Sequence, residues 1–343
     1  MTVAVMIFII AFSCRKPLKL IEIQGRALGS EFTIKYNPAD STFTEAELSS
    51  YLYKFFTDFQ NTTSLYQKSS ELIALNQANS KDWIKVSDSL GVMIAYALEL
   101  SKKTDGYYDI TAGALSKLWN VEGIEKVQPE LPEQKSIAMA KNNSGYQNLE
   151  IKHLNDGYYV YKKNPHMVID LASLAAGYAA DKIAEYLESR KIKNYMIDVG
   201  GEFKTSGKNI LNDWIIGIEN PVYNKNSTQT GSLILKKILL KNTSMATSGN
   251  YKNFLKNKNK RYSHIIDTHT GKPVEGNLVS VSVIQNECMK ADALATAIFA
   301  MGEKRGFEFA AINHIPLLMM IETNKGKIDV RNTLEMDRYL KKK

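Results

Sequence analysis

Asp292 and Thr296 stand four residues apart in MKADALATAIFAMG (289–302), among residues that are mostly small or apolar. On a helix that spacing turns the carboxylate and the hydroxyl to one face. A buried carboxylate is costly unless it is paired, hydrogen-bonded or on a metal. Two readings are open here: half of an oxygen-lined metal site, or a plain cap. In the second, Thr296 bonds back to its own helix and Asp292 serves the helix N-terminus. The other reactive set lies in NYKNFLKNKNKRYSHIIDTHTGKP (250–273), where His264 and Asp267 flank two isoleucines and His269 follows. A neutral histidine is a ready general base near pH 7, and Asp267 is close enough in sequence to matter. A structural histidine at a strand end is the alternative. The spacing is not that of a zinc site.

Three further polar clusters fall at turns between expected elements, where binding residues collect. In RALGSEF (26–32), Gly29 and Ser30 let a ligand approach backbone amides. In TSLYQKSSELIALN (63–76), Tyr66 is placed to stack on a planar ring or simply to pack at a helix end. In TDGYYDITAGALSKLW (104–119), Asp109 sits among aromatics, fit to accept from an exocyclic amine or a ribose, or to cap the helix starting near Thr111. No G-x-S-x-G elbow, Walker A lysine motif or Rossmann glycine fingerprint occurs.

The elements that must hold these groups follow from the pattern. LIEIQGRALGSEFTIKY alternates about a glycine-containing centre and reads as a hairpin. Helices are expected from about Thr44, with capping signals in STFTEAEL, from Ser87 to Lys103, and from about Ser173. The last runs between a strand ending at IDL and a strand reaching Val199, before a glycine pair. Short strands are expected at Tyr146–Ile151 and Tyr158–Tyr161, and strands dominate from Trp214 to Leu240 with a loop at 220–230. The Asp292 helix has a successor near Lys304 to Ile312, then strands near Leu317–Ile321 and Lys327–Val330. Helices and strands mix without regular βαβ alternation, so the class is α+β, with mixed, largely antiparallel sheets flanked by helices.

The 343 residues, 44% hydrophobic and 23% charged, supply one large core. The net charge of +8 is scattered lysine, clustered between Lys252 and Arg261 and at Lys341 to Lys343; acidic residues nearly balance it, which argues against nucleic-acid binding. Of the two cysteines, Cys288 reads as a small buried hydrophobe. Cys14 ends MTVAVMIFIIAFSC, too short to span a bilayer but fit for a signal h-region. Small residues before a cysteine resemble a bacterial lipoprotein signal, although no Lys or Arg precedes the apolar run and Phe12 is unusual near such a cleavage site. The expected organisation is a signal segment at 1–14, one catalytic domain at 20–335 and a basic tail at 336–343. The expected location is exported and membrane-anchored through lipid on Cys14, on the periplasmic side of the inner membrane.

RALGSEF, TSLYQKSSELIALN, DGYYDITAGALSKLW, IDLASLAAGYAAD, DVGGEF, ATSGNY, RYSHIIDTHTGKP and ADALATAIFAMG occur in the order found in the ApbE family, the FAD:protein FMN transferases, which this chain therefore resembles. The likeness runs from about residue 20 to 322, and HIIDTHTGKP with ADALATA is its most specific part. The resemblance implies an ApbE-like fold and a Mg2+ site at Asp292, Thr296 and the main-chain carbonyl of Ser173. Oxygen ligands of this kind suit Mg2+. It implies FAD contacts at Leu28, Ser64, Leu65, Tyr66, Asp109, Ala176 and Ile266, where the family usually has methionine at position 28 and often lysine at 176. It implies His264 as base, with Asp267 orienting it or binding ligand. The implied reaction moves the FMN part of FAD onto a threonine or serine hydroxyl of a target flavoprotein and releases AMP. Two alternatives stay open: FAD pyrophosphatase activity yielding FMN and AMP, and a non-catalytic flavin-binding lipoprotein.

Overall fold

The computed structural model describes residues 20–38, 43–79, 82–120, 131–221, 233–250, 254–257 and 260–341. The hairpin of β1 (Ile21–Ala27) and β2 (Ser30–Asn37) turns at Leu28 and Gly29, which take φ of 53° and 76°. α1 (Glu45–Thr63) starts at a capping box, with Thr44 accepting from the Glu47 N–H and Glu47 accepting from Thr44. α2 (Glu71–Gln77) and α3 (Asp88–Lys103) start at serine caps, Ser70 and Ser87, and β3 (Ile84–Val86) lies between them. Two shorter helices, α4 (Gly113–Leu118) and α5 (Gln134–Asn142), precede β4 (Leu149–Leu154) and β5 (Gly157–Lys162), which pair with β3 as β3-β5-β4. The strand expected from Tyr146 begins at Leu149, because Tyr146–Asn148 forms one 3-10 turn.

α6 (Ala172–Ser189) leads into β6 (Asn194–Val199) and β7 (Glu202–Ser206), then the β8 (Trp214–Glu219) and β9 (Ile234–Leu240) hairpin. Next come β10 (Ser244–Gly249), β11 (Phe254–Asn257), β12 (Lys260–Ser263), β13 (Ile266–Asp267), β14 (Lys272–Pro273) and β15 (Leu278–Gln285). α7 (Cys288–Ile312) holds the expected pair of helices in one run, with a break at Gly302, whose φ of 76° no helical residue adopts. β16 (Leu317–Glu322) and β17 (Ile328–Asn332) close the order.

The main sheet runs β1-β2-β6-β7-β10-β15-β16-β17, each neighbouring pair antiparallel. Its two faces feed two cores. On β16, Leu317, Met319 and Ile321 pack with α1, α3, α6 and α7, whereas Leu318 and Met320 pack with Trp214, Ile216 and Ile238 of the β8–β9 hairpin. This is the period-two alternation of a strand buried on both faces. The C-terminal segment expected as a tail belongs to the fold as far as it is described. Met336 is fully buried, and Tyr339 and Lys341 bond to β9. Residues 1–14, with Cys14, lie outside the described residues, and no described helix is long and apolar enough to cross a membrane.

Candidate active site

At one end of the main sheet the chain encloses a cleft of about 720 Å³. The β1–β2 turn brings Ser30 and Glu31, the β6–β7 turn Asp198 to Phe203, and the end of β10 Thr247 to Gly249. The start of α6 brings Asp170 and Ser173, α7 brings Asp292 and Thr296, and two loops bring Tyr107 to Ile110 and His264 to Ile266. Gly200 and Gly201, at φ of 74° and 109°, make the tight β6–β7 turn, and the Gly201 N–H donates to Asp198 Oδ1 at 2.9 Å.

Asp292 and Thr296 face the cleft from one side of α7, as their spacing predicts. The Thr296 hydroxyl shares a hydrogen bond with Ser248 Oγ at 3.0 Å, so its partner lies on β10. Asp292 is buried, and among the described residues its carboxylate has one hydrogen bond, from the Gly177 N–H to Oδ2 at 3.1 Å. Burial pushes its carboxyl up to about 8. Glu202 beside it is driven well above the usual carboxylate range by desolvation, then by the charges of Asp292 and Asp198. Asp292 does not cap α7. Asp181 of α6 does, taking the Cys288 and Met289 N–H groups at 2.9 Å each, with Lys204 3.2 Å away. A cap supplied by a neighbouring helix leaves no local spacing to read.

α6 and α7 cross at Gly177, where a Cβ would stand 2.5 Å from the Cys288 carbonyl oxygen. By the i→i−4 rule the Gly177 N–H is also the helical partner of the Ser173 carbonyl. The Ser173 hydroxyl donates to the buried Tyr108 hydroxyl at 3.0 Å. Ser173, Asp292 and Thr296 share the cleft wall, and a carboxylate nearly without protein partners beside hydroxyl and main-chain oxygens is a set whose chemistry fits Mg2+. Among the described residues no group of three or more His, Cys, Asp or Glu side chains forms a metal cage, so the fit rests on this mixed set.

The other expected residues divide. His264, Ile266 and Asp109 line the cleft. Asp109 is also engaged locally: Oδ1 accepts from the Thr111 N–H (2.8 Å) and hydroxyl (2.7 Å), and Oδ2 from the Tyr146 N–H (2.8 Å). Desolvation raises its carboxyl against these bonds. Asp267 lies outside the lining, its carboxylate accepting from the His269 N–H (2.9 Å) and the Thr270 hydroxyl (3.1 Å) in the β13–β14 turn. Leu28, Ser64, Leu65, Tyr66 and Ala176 are also outside it. Ser64 Oγ accepts from the Tyr66 and Gln67 N–H groups, and Tyr66 is 75% exposed. Leu28, Leu65 and Ala176 pack against the core edge. Asp198, Glu202, Ser248 and Tyr108 were not singled out from the sequence, although DVGGEF, ATSGNY and DGYYD contain them; the glycine pair beside two acids was the available signal.

A family model described as the ApbE family matches residues 28–319. The FAD:protein FMN transferase of Vibrio cholerae is 33% identical over 325 residues, 94% of each chain. That of Haemophilus influenzae is 31% identical over 318 residues, 92% of this chain and 90% of its own. Among solved structures, the flavin transferase ApbE from Vibrio cholerae superposes with a TM-score of 0.83 at 32% identity, covering 94% of this chain and 100% of that one. The apo flavinyl transferase ApbE of Pseudomonas stutzeri gives 0.83 at 26% identity, covering 94% and 97%. With the motif order, the cleft and these likenesses together, the chain belongs to the ApbE family.

Proposed function

We propose that this chain is an FAD:protein FMN transferase that depends on Mg2+ and modifies a threonine or serine hydroxyl of a target flavoprotein. The hydroxyl oxygen attacks the FMN phosphorus of FAD, the bond from that phosphorus to the AMP oxygen breaks, AMP leaves, and FMN remains on the protein as a phosphoester. Asp292, Thr296 and the Ser173 carbonyl would hold Mg2+, which when bound neutralises charge on the diphosphate. His264, on the cleft wall, takes the hydroxyl proton. Ala176, where the family resemblance implies lysine, offers no cation to FAD and lies outside the cleft lining.

The observation that carries the reading is Asp292: a buried carboxylate with a single hydrogen bond among the described residues, on the cleft wall with Thr296 and Ser173. The test is mass spectrometry of a threonine-bearing flavoprotein domain incubated with the enzyme lacking residues 1–14, FAD and Mg2+, with EDTA as control. A metal-dependent gain of one FMN phosphoryl unit is expected. FMN and AMP in solution without adduct would make the protein a pyrophosphatase, and bound FAD without turnover a binding protein.

We also infer that the chain is exported and held at the membrane by lipid on Cys14, on the support of the apolar segment that this cysteine ends. Cys14→Ser should then release the protein from the membrane fraction; unchanged fractionation would remove the inference.

A further inference from the structure

The two outer edges of the β8–β9 hairpin differ. On β9, the Leu239 N–H donates to the Tyr339 carbonyl at 2.8 Å, and the Lys237 carbonyl accepts from the Lys341 N–H at 3.0 Å, so the C-terminal segment covers that edge. Leu239 and Lys237 thus turn their peptide groups away from β8. Their cross-strand partners are Ile215 and Gly217. Residues opposite each other in an antiparallel ladder either bond to one another or both turn outward. Ile215 and Gly217 must therefore point N–H and C=O away from β9, while Trp214, Ile216 and Ile218 carry the ladder. Among the described residues no strand adjoins this outer edge, and neither Ile215 nor Gly217 has a hydrogen-bond partner there.

This bare edge runs into the cleft, since Gly217, Ile218 and Glu219 form part of its wall. Open strand edges are usually blunted by charge, proline or a covering segment, because they recruit other chains. Ile215 here is 43% exposed, and the Ile234 side chain packs over Gly217 in the direction a Cβ would take, which is the face of the hairpin and not its outer edge. Across from Gly217, Lys237 is exposed and has no ion pair among the described residues.

We propose that the outer edge of β8 docks an extended segment of the acceptor protein, which adds a strand there and carries its hydroxyl into the cleft. The inference rests on the FMN-transfer reading. An extended backbone is the occupant that matches N–H and C=O groups repeating every second residue, about 7 Å apart. Lys237 gives the edge its charge preference, for an acidic side chain on the docked strand across from Gly217.

The test compares wild type, Ile215→Pro and Lys237→Glu with FAD, Mg2+ and a threonine-bearing flavoprotein domain. Proline at 215 removes one outward N–H and leaves the ladder bonds of Trp214, Ile216 and Ile218 to β9 in place; proline is tolerated on an edge strand. Ile215→Pro should raise KM for the domain by about tenfold or more, the loss of one ladder bond and of close approach. FAD affinity, read by flavin fluorescence, should stay at the wild-type value. Lys237→Glu should raise the same KM severalfold at low salt. In wild type, the Ile215 and Gly217 amides should exchange more slowly with the domain bound. A folded Ile215→Pro with wild-type KM would overturn the proposal. If that variant does not fold, unchanged amide exchange in wild type overturns it instead. Failure of wild type to modify the domain would refute the transfer reading, and this inference with it; wild-type transfer that ignores the edge would refute this inference alone.

Discussion

Replacing Asp292 by asparagine should stabilise the metal-free protein while abolishing metal binding. The carboxyl is lifted from 3.8 to about 8 by burial. Between those values the folded protein keeps a proton that the unfolded chain gives up, so stability falls as pH rises through that window. At ~1.36 kcal/mol per unit, the four-unit lift sets an upper bound of about 5 kcal/mol, lost by pH 8. Glu202 shares the same desolvated wall, so part of that cost is joint to the pair. The substituted asparagine would have no charge to desolvate, and its amide oxygen would still accept from the Gly177 N–H. Scanning calorimetry in EDTA from pH 5 to 9 should show wild-type Tm falling toward pH 8. The Asp292→Asn curve should be flatter and, at pH 8, higher by about 4 °C or more, taking ~2 °C per kcal/mol for a domain of this size. Mg2+ should narrow the gap by stabilising wild type alone, and more strongly at higher pH, where the carboxylate is already ionised. An Asp292→Asn protein less stable than wild type in EDTA at pH 8, or a wild-type Tm that rises through the window, would refute the reasoning.

His264→Ala should leave FAD affinity intact and slow transfer by ~10²–10⁴-fold, the usual worth of a general base; single-turnover kinetics at wild-type rate would remove His264 from that role. Gly177→Ala forces a Cβ to within 2.5 Å of the Cys288 carbonyl, backbone against backbone. Its expected cost is about 3 kcal/mol or more by denaturant melts, with a matching loss of metal affinity as α6 and α7 separate. Asp181→Ala leaves two N–H groups at the start of α7 uncapped and Lys204 without its carboxylate, an expected loss of about 3 kcal/mol by the same melts. Asp181→Asn should recover part of it.

Local signals in the sequence are legible because they depend on neighbours in the chain. Thr44 with Glu47, and Ser87, start helices where the capping pattern puts them, and Gly302 divides the last helix. The same locality explains what was not legible. The sheet order, with β10 between β7 and β15, is set by pairings across tens of residues, and nothing near MATSG announces it. Asp109 and Asp267 each accept from a backbone N–H of their own turn, the alternative that short polar side chains always offer, and Asp109 lines the cleft as well. Nothing near Asp181 in the sequence marks it as a cap, because the helix it caps begins more than a hundred residues further along the chain. Asp292 stands out for the opposite reason: its helix offers it no local partner, and among the described residues only one N–H reaches it.

The most direct test is a Mg2+ titration by calorimetry, in the presence of FAD, of wild type, Asp292→Asn and Thr296→Val. One saturable site is expected in wild type, none with Asp292→Asn, and at least about tenfold weaker binding with Thr296→Val. Undiminished binding to folded Asp292→Asn would contradict it.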